Sequence, residues 1–285
     1  MSAITTDPHV FKSDALNAHK VREFAAQWLQ PVLQPLSRIA AALLLPAALL
    51  VLWQIAVNKQ WMPEQILPAP ALVWQTLQEL WAAGDLQTHL QISASRVGWS
   101  LLIGTTLGLA LGVGMGLSRS FKAYVFPTFD VVSQFPVLGW IPLLIIFAGI
   151  DEALKISAIS IAVVVPVAVN ALKGIANIPH ALFEVAKVYR FTWPQVVLRV
   201  VLPAAAPSLF NGLRQAVMQA WLTLVFVELL ASSEGIGYLM VWGRQLAQLD
   251  LVMVGMLVIG LVGVVLDIAL RQIEARLQRW RHSAF

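Results

Sequence analysis

Six stretches of this chain are apolar over lengths that match the thickness of a lipid bilayer, and this feature limits the possible folds most strongly. A transmembrane α-helix needs about 20 predominantly apolar residues. The chain is 59% hydrophobic and only 12% charged, whereas roughly a quarter of an ordinary soluble domain is charged. The sequence therefore predicts an all-α, polytopic membrane protein with six transmembrane helices. The predicted spans are Ile39–Val57, Ser93–Leu117, Tyr124–Ile150, Ile156–Leu172, Pro207–Ala231 and Leu251–Leu270.

The distribution of Lys and Arg predicts the orientation, because these residues accumulate in short cytoplasmic loops. Fourteen of the nineteen lie before span 1, between spans 2 and 3, between spans 4 and 5, or after span 6. We therefore expect both termini to be cytoplasmic, with a cytoplasmic N-terminal segment at residues 1–37 and a cytoplasmic tail at residues 276–285. The remaining five lie in the alternate loops or within and at the edges of spans: Lys59, Lys155, Arg244, Arg96 and Arg214.

Residues 38–92 are predicted to hold a retained membrane anchor followed by an external segment. Nearly forty polar or mixed residues precede the first span, which is unlike a cleaved signal peptide. Within the external part, ALVWQTLQELW at residues 71–81 has the periodicity of an amphipathic helix lying at the membrane interface. The net charge of +4 suits an anionic lipid surface, and we expect no nucleic-acid partner.

The second and third spans carry two contrasting backbone patterns. Gly104, Gly108 and Gly112 repeat every four residues in the second, which predicts a small-residue face that lets another helix approach closely. In the third, Pro136 and Pro142 each remove a backbone donor and are expected to open the helix. A broken helix at membrane depth occurs beside a permeation pathway, but a kinked packing helix remains an equal alternative.

Two carboxylates, Glu228 and Asp130, fall within predicted spans, where a charge is costly and usually faces a partner or a wet cavity. Glu228 lies near the outer end of its span. Two roles remain open: a gating role, and a structural role in which Glu228 reaches the surface or bonds Ser232 or Ser233. Arg214 is fourteen residues away on the same helix and cannot pair with it within that helix.

The chemistry of hydrolases and redox enzymes is missing from the sequence. There is no cysteine, all five histidines lie outside the spans, and neither HExxH nor GxSxG occurs. We therefore predict no catalytic residues, no cofactor and no metal site in this chain.

Between spans 4 and 5 lies an unusually polar segment that is predicted to form two short helices. Leu182, Val185, Ala186 and Tyr189 form one apolar stripe of the first helix. Asn177 is predicted to cap that helix, with Pro179 in its first turn. Thr192-Trp-Pro-Gln195 fits a capping box for a second helix, predicted to run from Trp193 to about Val201 and to end at Leu202-Pro203. The mixed charges beside the stripe favour docking to a protein over resting on a membrane.

This segment resembles the EAA motif of ABC importer permeases, which reads E-A-A, three residues, Gly, nine residues, then I-x-L-P. The matching residues here are Glu184, Val185, Ala186, Arg190, Leu202 and Pro203. Val185 replaces the second Ala of the motif. Arg190 stands in place of its Gly, where either a continued helix or a cation at the helix end is possible.

The resemblance extends through FPVLGWIPLLIIFAGIDEALKI (135–156) and GLRQAVMQAWLTLVFVELLASSEGIGYL (212–239), which look like permeases of nitrate, sulfonate and taurine importers. It implies a five-helix importer-permease core at residues 93–275, with an EAA-type loop at 173–206 that forms a cytoplasmic coupling helix. It further implies a homodimer with two cytoplasmic ATPase subunits that bind ATP and Mg, and a periplasmic substrate-binding protein. The expected location is the bacterial inner membrane.

The resemblance favours aliphatic sulfonates as the substrate, with taurine and nitrate as alternatives. Transport would proceed by alternating access between the two copies. We expect Gln134, Trp140, Trp221 and Glu228 to line or gate the path. A self-contained secondary transporter is the alternative from another class, and isolated membrane carboxylates argue against it.

Overall fold

The structure, a computed structural model, describes residues 44–277 and is helical throughout, with no β-strand in that range. The predicted segment 1–37 and the last eight residues of the predicted tail lie outside the described residues. The all-α prediction is confirmed. The helices are α1 (Leu44–Asn58), α2 (Pro70–Ala83), α3 (Asp85–Leu117), α4 (Arg119–Ser133), α5 (Ile141–Ala148), α6 (Glu152–Ala176), α7 (His180–Val188), α8 (Trp193–Val196), α9 (Leu202–Ala231), α10 (Ile236–Gln245) and α11 (Leu249–Leu277).

The chain divides into two compact units, residues 1–70 and residues 71–285. In the first, the described part of the predicted anchor is α1, and Trp53 Nε1 donates a hydrogen bond to the carbonyl oxygen of Pro68 at 3.0 Å. The amphipathic helix predicted at residues 71–81 forms as α2 and belongs to the second unit. Its position at a membrane interface stays a prediction.

Four helical stretches within residues 44–277 are long and apolar enough to cross a membrane, and a bent helix pair provides a fifth. They correspond to predicted spans 2 to 6. α3 begins at Asp85, eight residues before the predicted start, because polar residues continue the helix beyond the apolar run. The predicted break in the third span is confirmed, since α4 and the following Val137–Ala148 helix meet at 92°.

The two prolines of this third span act differently. Pro136 precedes a 3₁₀ turn at Val137–Trp140 and lies at the bend itself. Pro142, however, occupies the first turn of α5. A proline there removes an N–H that would have no helical partner anyway, so the expectation that Pro142 opens the helix is wrong.

The predicted small-residue face of α3 lies in close contact with α6. A Cβ atom added at Gly104 would lie 2.6 Å from the Cβ of Val163, and one at Gly112 would lie 2.5 Å from the carbonyl oxygen of Ala168. Side chains larger than hydrogen therefore cannot fit where α3 crosses α6. Around this contact, α3, α6 and α9 share a core of Val97, Ile159, Val163, Val167, Ala216, Ala220, Trp221 and Leu224.

Candidate functional site

Residues 180–201, the two-helix segment, fold much as the local sequence predicts. α7 starts at His180 with Pro179 before it, whereas Asn177 ends α6 and does not cap α7, which corrects that prediction. The capping box is confirmed: Thr192 and Gln195 exchange hydrogen bonds, and the backbone N–H of Thr192 donates to Gln195 Oε1 at 2.8 Å.

Arg190 adopts the left-handed backbone conformation, with φ of 52°. The N–H of Phe191 donates to the carbonyl of Ala186 at 2.9 Å, and the N–H of Arg190 donates to that of Lys187 at 3.0 Å. This pair of bonds is a Schellman motif with Arg190 at the position that glycine usually occupies. Arg190 thus ends α7, and of the two alternatives for this residue the continued helix is wrong.

The predicted helix end at Leu202-Pro203 is wrong. A π turn at Val197–Val201 connects α8 to α9, and the N–H of Leu202 donates to the carbonyl of Val197, five residues back. Pro203 lies in the first turn of α9, directly after this change of hydrogen-bond register. Because the π turn changes the hydrogen-bond register here, the helix can continue past Pro203, which has no N–H to donate. The backbone therefore follows one helical path from the two-helix segment into α9.

The buried face of α7 differs from the predicted stripe. Phe183 packs against the ends of α6 and α9. Ala186 is also buried, at only 3% exposed. Leu182, Val185 and Tyr189 of the predicted stripe are 41%, 52% and 70% exposed. The segment therefore presents apolar side chains that the described part of this chain does not cover.

A cavity of about 840 Å³ lies among the end of α4, the bend after it, α6, α9 and α11. Its volume is within the range of small-molecule sites. Its walls contain both polar and apolar side chains. They are Ser133, Gln134, Phe135, Pro136, Val137, Ala162, Val165, Pro166, Val169, Asn170, Asn211, Arg214, Gln215, Met218, Gln219, Leu222 and Asp267.

Arg214, the cationic residue of the cavity wall, is compensated by carboxylates of α11. Its guanidinium donates to Asp267 at 2.9 Å and to Glu274 at 2.9 Å. Asp267 also pairs with Arg271 at 2.6 Å. The local charges balance, so an anion in the cavity would meet a guanidinium that is already neutralised.

A second polar site is buried where the N-terminal ends of α3 and α6 meet the C-terminal end of α9. Arg96, 2% exposed, makes two hydrogen bonds to Glu152, at 2.8 and 2.6 Å, and one to Glu228 at 2.7 Å. Glu228, 1% exposed, also accepts from Ser93 Oγ at 2.7 Å. Lys155 Nζ donates to Glu152 Oε1 at 2.7 Å. Four charges are thus paired within one ion cluster.

The loop before α10 completes this ion cluster with backbone groups. The N–H of Gly237 donates to Glu228 Oε2 at 2.9 Å, and the carbonyl of Glu234 accepts from Arg96 at 2.8 Å. Gly235 has φ of 109°, and a Cβ atom there would overlap the carboxylate of Glu228. Glycine is required at 235 both for its backbone conformation and for this close approach.

The four predicted path residues lie in different places. Gln134 lines the cavity, while Trp140 packs edge-on against Phe135 with ring centroids 6.1 Å apart. Trp221 is buried in the helix core, donates to the carbonyl of Ile259 at 3.2 Å and does not line the cavity, so its role on the path stays a prediction. Glu228 lies within the ion cluster, neither on the cavity wall nor bonded to Ser232 or Ser233.

The sequence did not predict the partners of Glu228, and it gave Arg96 and Lys155 no role beyond their contribution to the distribution of Lys and Arg. One signal was available for the ion cluster: Ser93 and Arg96 are three residues apart, which puts them on one face of α3. The amide and arginine residues at positions 211, 214, 215 and 219 similarly share one face of α9. Neither pattern indicates which helix would lie opposite.

Long apolar helices around a polar cavity are typical of a multi-pass membrane transport protein. Comparisons specify the class further. Residues 104–279 match the family of binding-protein-dependent transport system inner membrane components. The chain belongs to this family of ABC importer permeases, and it is accordingly a non-catalytic, multi-pass subunit of the inner membrane.

Two relatives illustrate the similarity. The SsuC permease of Bacillus subtilis strain 168, named for aliphatic sulfonate transport, is 37% identical over 241 residues, covering 85% of this chain and 87% of the relative. The taurine transport permease TauC of Escherichia coli K12 is 30% identical over 252 residues, covering 86% and 92%. A chain of the MetNI methionine ABC transporter in an inward-facing conformation has the same fold, with a TM-score of 0.51, 16% identity, and coverage of 64% and 92%.

Proposed function

We propose that this chain moves aliphatic sulfonates across the inner membrane as a homodimer that works by alternating access. Two cytoplasmic ATPase subunits would bind ATP and Mg, and a periplasmic binding protein would deliver the substrate. Both termini would be cytoplasmic. The observation that carries this proposal is the two-helix segment, whose exposed apolar side chains are joined through one helical path to the cavity wall.

The exposed side of the two-helix segment suits a groove on a partner protein. Val188 and Trp193 are 81% and 58% exposed, and Glu184 on α7 is also exposed. The positive-inside pattern puts this segment on the cytoplasmic side, where the ATPase subunits would be. Glu184, Val185 and Arg190 would contact the ATPase.

The other residues of the EAA-type motif would act within the chain. Ala186 is buried, so it would hold α7 against the rest of this chain. Leu202 and Pro203 lie at the junction between the π turn and α9. Because α9 continues from this junction to the cavity wall, a displacement of the two-helix segment would move residues that face the substrate. This connection supports coupling of ATP hydrolysis to alternating access.

Relatives named for sulfonate transport support the choice of sulfonate, since the SsuC permease of Escherichia coli K12 is 35% identical over 254 residues, 88% of this chain and 95% of the relative. Taurine and nitrate remain the alternatives within the family. Two membrane carboxylates, Glu228 and Asp267, are bonded to arginine, which supports an ATP-driven mechanism over ion coupling through these residues.

Charge reversal on the two-helix segment tests the coupling. We expect Glu184→Lys to weaken association with the ATPase subunits about tenfold, equivalent to 1.4 kcal/mol. Pro203→Gly should leave association intact but lower uptake per ATP hydrolysed, because a glycine makes the junction more flexible. Co-purification, ATP hydrolysis and sulfonate uptake in proteoliposomes measure these effects.

Glu79→Lys is the matched control, since Glu79 is an exposed glutamate on α2, outside the two-helix segment. It should leave association and uptake unchanged. If Glu184→Lys and Pro203→Gly both behave like this control, the assignment of the two-helix segment to coupling is wrong. If the wild-type complex hydrolyses ATP in response to nitrate or taurine but not to an alkanesulfonate, the substrate assignment is wrong.

A further inference from the structure

The α9 wall of the cavity changes character along its length. Asn211, Gln215 and Gln219 follow one another at intervals of four residues, and Met218 and Leu222 continue the same face toward the C-terminal end. The α9 wall is thus polar from Asn211 to Gln215, whereas from Met218 to Leu222 two apolar side chains flank the amide of Gln219.

α6 has the complementary gradient because it packs antiparallel to α9. Asn170 Nδ2 donates to Gln215 Oε1 at 3.1 Å, which puts an amide of α6 beside the amide-rich part of α9. Farther toward the start of α6, Ala158 packs in the same cluster as Val227. Val165 lies between these two levels and lines the cavity. The two helices therefore give the cavity one amide end and one apolar end.

The amides keep hydrogen-bonding capacity that the chain does not use. Within residues 44–277, the side chains of Asn211 and Gln219 make no hydrogen bond, and the NH₂ group of Gln215 donates none. Unpaired amides at membrane depth are costly unless water or a polar ligand meets them. Since Arg214 is held by two carboxylates, the donors open to an anion here are neutral. Neutral donors bind an anion weakly enough to release it, as transport requires.

We propose that the cavity binds an alkanesulfonate in one orientation during transport. The sulfonate oxygens accept hydrogen bonds from the amides of Asn211 and Gln215, and the alkyl chain lies against Val165, Met218 and Leu222. This inference rests on the proposed sulfonate transport and adds to it the residues that select the substrate. Head-group recognition and chain-length preference then belong to different ends of one cavity.

A chain-length series tests the apolar end. The complete complex of permease, ATPase and binding protein is reconstituted in liposomes, and initial uptake is measured from methanesulfonate to octanesulfonate at saturating binding protein. Leu222→Trp shortens the apolar end, so octanesulfonate uptake should fall about tenfold relative to methanesulfonate uptake. Leu230→Trp is the matched control, because Leu230 is exposed on the same helix but outside the cavity. It should keep the wild-type ratio.

A second variant tests the amide end without changing its shape. Gln215→Glu puts a negative charge beside the sulfonate and should lower uptake of every chain length about tenfold, leaving the chain-length ratio as in the wild type. Gln245→Glu, at an exposed position on α10, is its control. Because Glu is nearly isosteric with Gln, this arm stays decisive even if Leu222→Trp does not assemble.

The outcomes separate the two proposals. If the wild-type complex takes up no alkanesulfonate, the proposed function fails and the inference fails with it. If the wild type takes up alkanesulfonates but Leu222→Trp keeps the ratio of Leu230→Trp, or Gln215→Glu matches Gln245→Glu, the cavity assignment alone is wrong. A shifted ratio together with a uniform loss for Gln215→Glu supports the assignment.

Discussion

Replacing Glu228 by glutamine tests whether the ion cluster holds the helix ends together. Glu228 accepts hydrogen bonds from Ser93, Arg96 and Gly237, which belong to α3 and α10. Glutamine keeps one carbonyl oxygen for Ser93 and Arg96. Its NH₂ group takes the place of Oε2 and faces the N–H of Gly237, so two donors oppose each other.

The expected cost follows from what Arg96 retains. Removing one partner of a buried ion pair typically costs about 3–5 kcal/mol. Arg96 keeps its two hydrogen bonds to Glu152, whose side chain is 54% exposed, so its charge is still compensated. We therefore expect the lower end of the range, about 3 kcal/mol of unfolding free energy. For a domain of this size that lowers Tm by about 6–12 °C.

Thermal unfolding of the purified chain in detergent, followed by tryptophan fluorescence, measures this loss. Glu79→Gln is the control, because within residues 44–277 the only side-chain hydrogen bond of Glu79 is with Gln75, on the exposed face of α2, and its loss should change stability by less than about 0.5 kcal/mol. A cycle with Ser93→Ala should give a coupling energy above about 0.5 kcal/mol, since Ser93 donates to a charged carboxylate in the wild type and only to a neutral carbonyl in Glu228→Gln. Equal stability of Glu228→Gln and Glu79→Gln, with additive effects in the cycle, would refute the reasoning.

Two further changes test the backbone. Arg190→Gly should stabilise the chain by about 0.5–1 kcal/mol in the same melting assay, because relief of the left-handed strain exceeds the entropy cost of glycine. Arg190→Ala is the control because it keeps the strain. An equal gain in stability from Arg190→Ala would assign the effect to the lost charge instead. Gly112→Ala should destabilise the chain by about 1–3 kcal/mol, because the added Cβ would overlap the carbonyl of Ala168. Gly98→Ala on the same helix is the control, because its Cβ would find no atom within 4 Å. Equal melting temperatures of the two variants would contradict the close crossing of α3 and α6.

Local patterns predicted the parts of the fold that depend on neighbouring residues. The capping box at Thr192 and Gln195 formed as its spacing indicated, because both partners belong to one helical turn. Local rules failed at Pro203, where they predicted a helix end. A π turn supplied a hydrogen-bond register that proline tolerates, and the choice between ending and widening a helix depends on the packing around it.

The ion cluster could not be predicted because its members are far apart in sequence. Arg96 and Glu228 are 132 residues apart, and Arg96 and Glu152 are 56 apart. Periodicity shows that two residues share a face of one helix, but it carries no information about which helix faces them or at what height. Those pairings depend on the crossing of α3 with α6, which the glycine face permits.

The sequence by itself determined that this chain is a helical membrane protein with a broken third span, a close-packing glycine face and a two-helix segment of importer type. Each follows from solvation or from hydrogen bonding within a few residues. Only the tertiary structure decided that Glu228 is paired with Arg96 and that amides of α6 and α9 meet in one cavity. These depend on helix register, which is set by packing between residues that the chain separates widely.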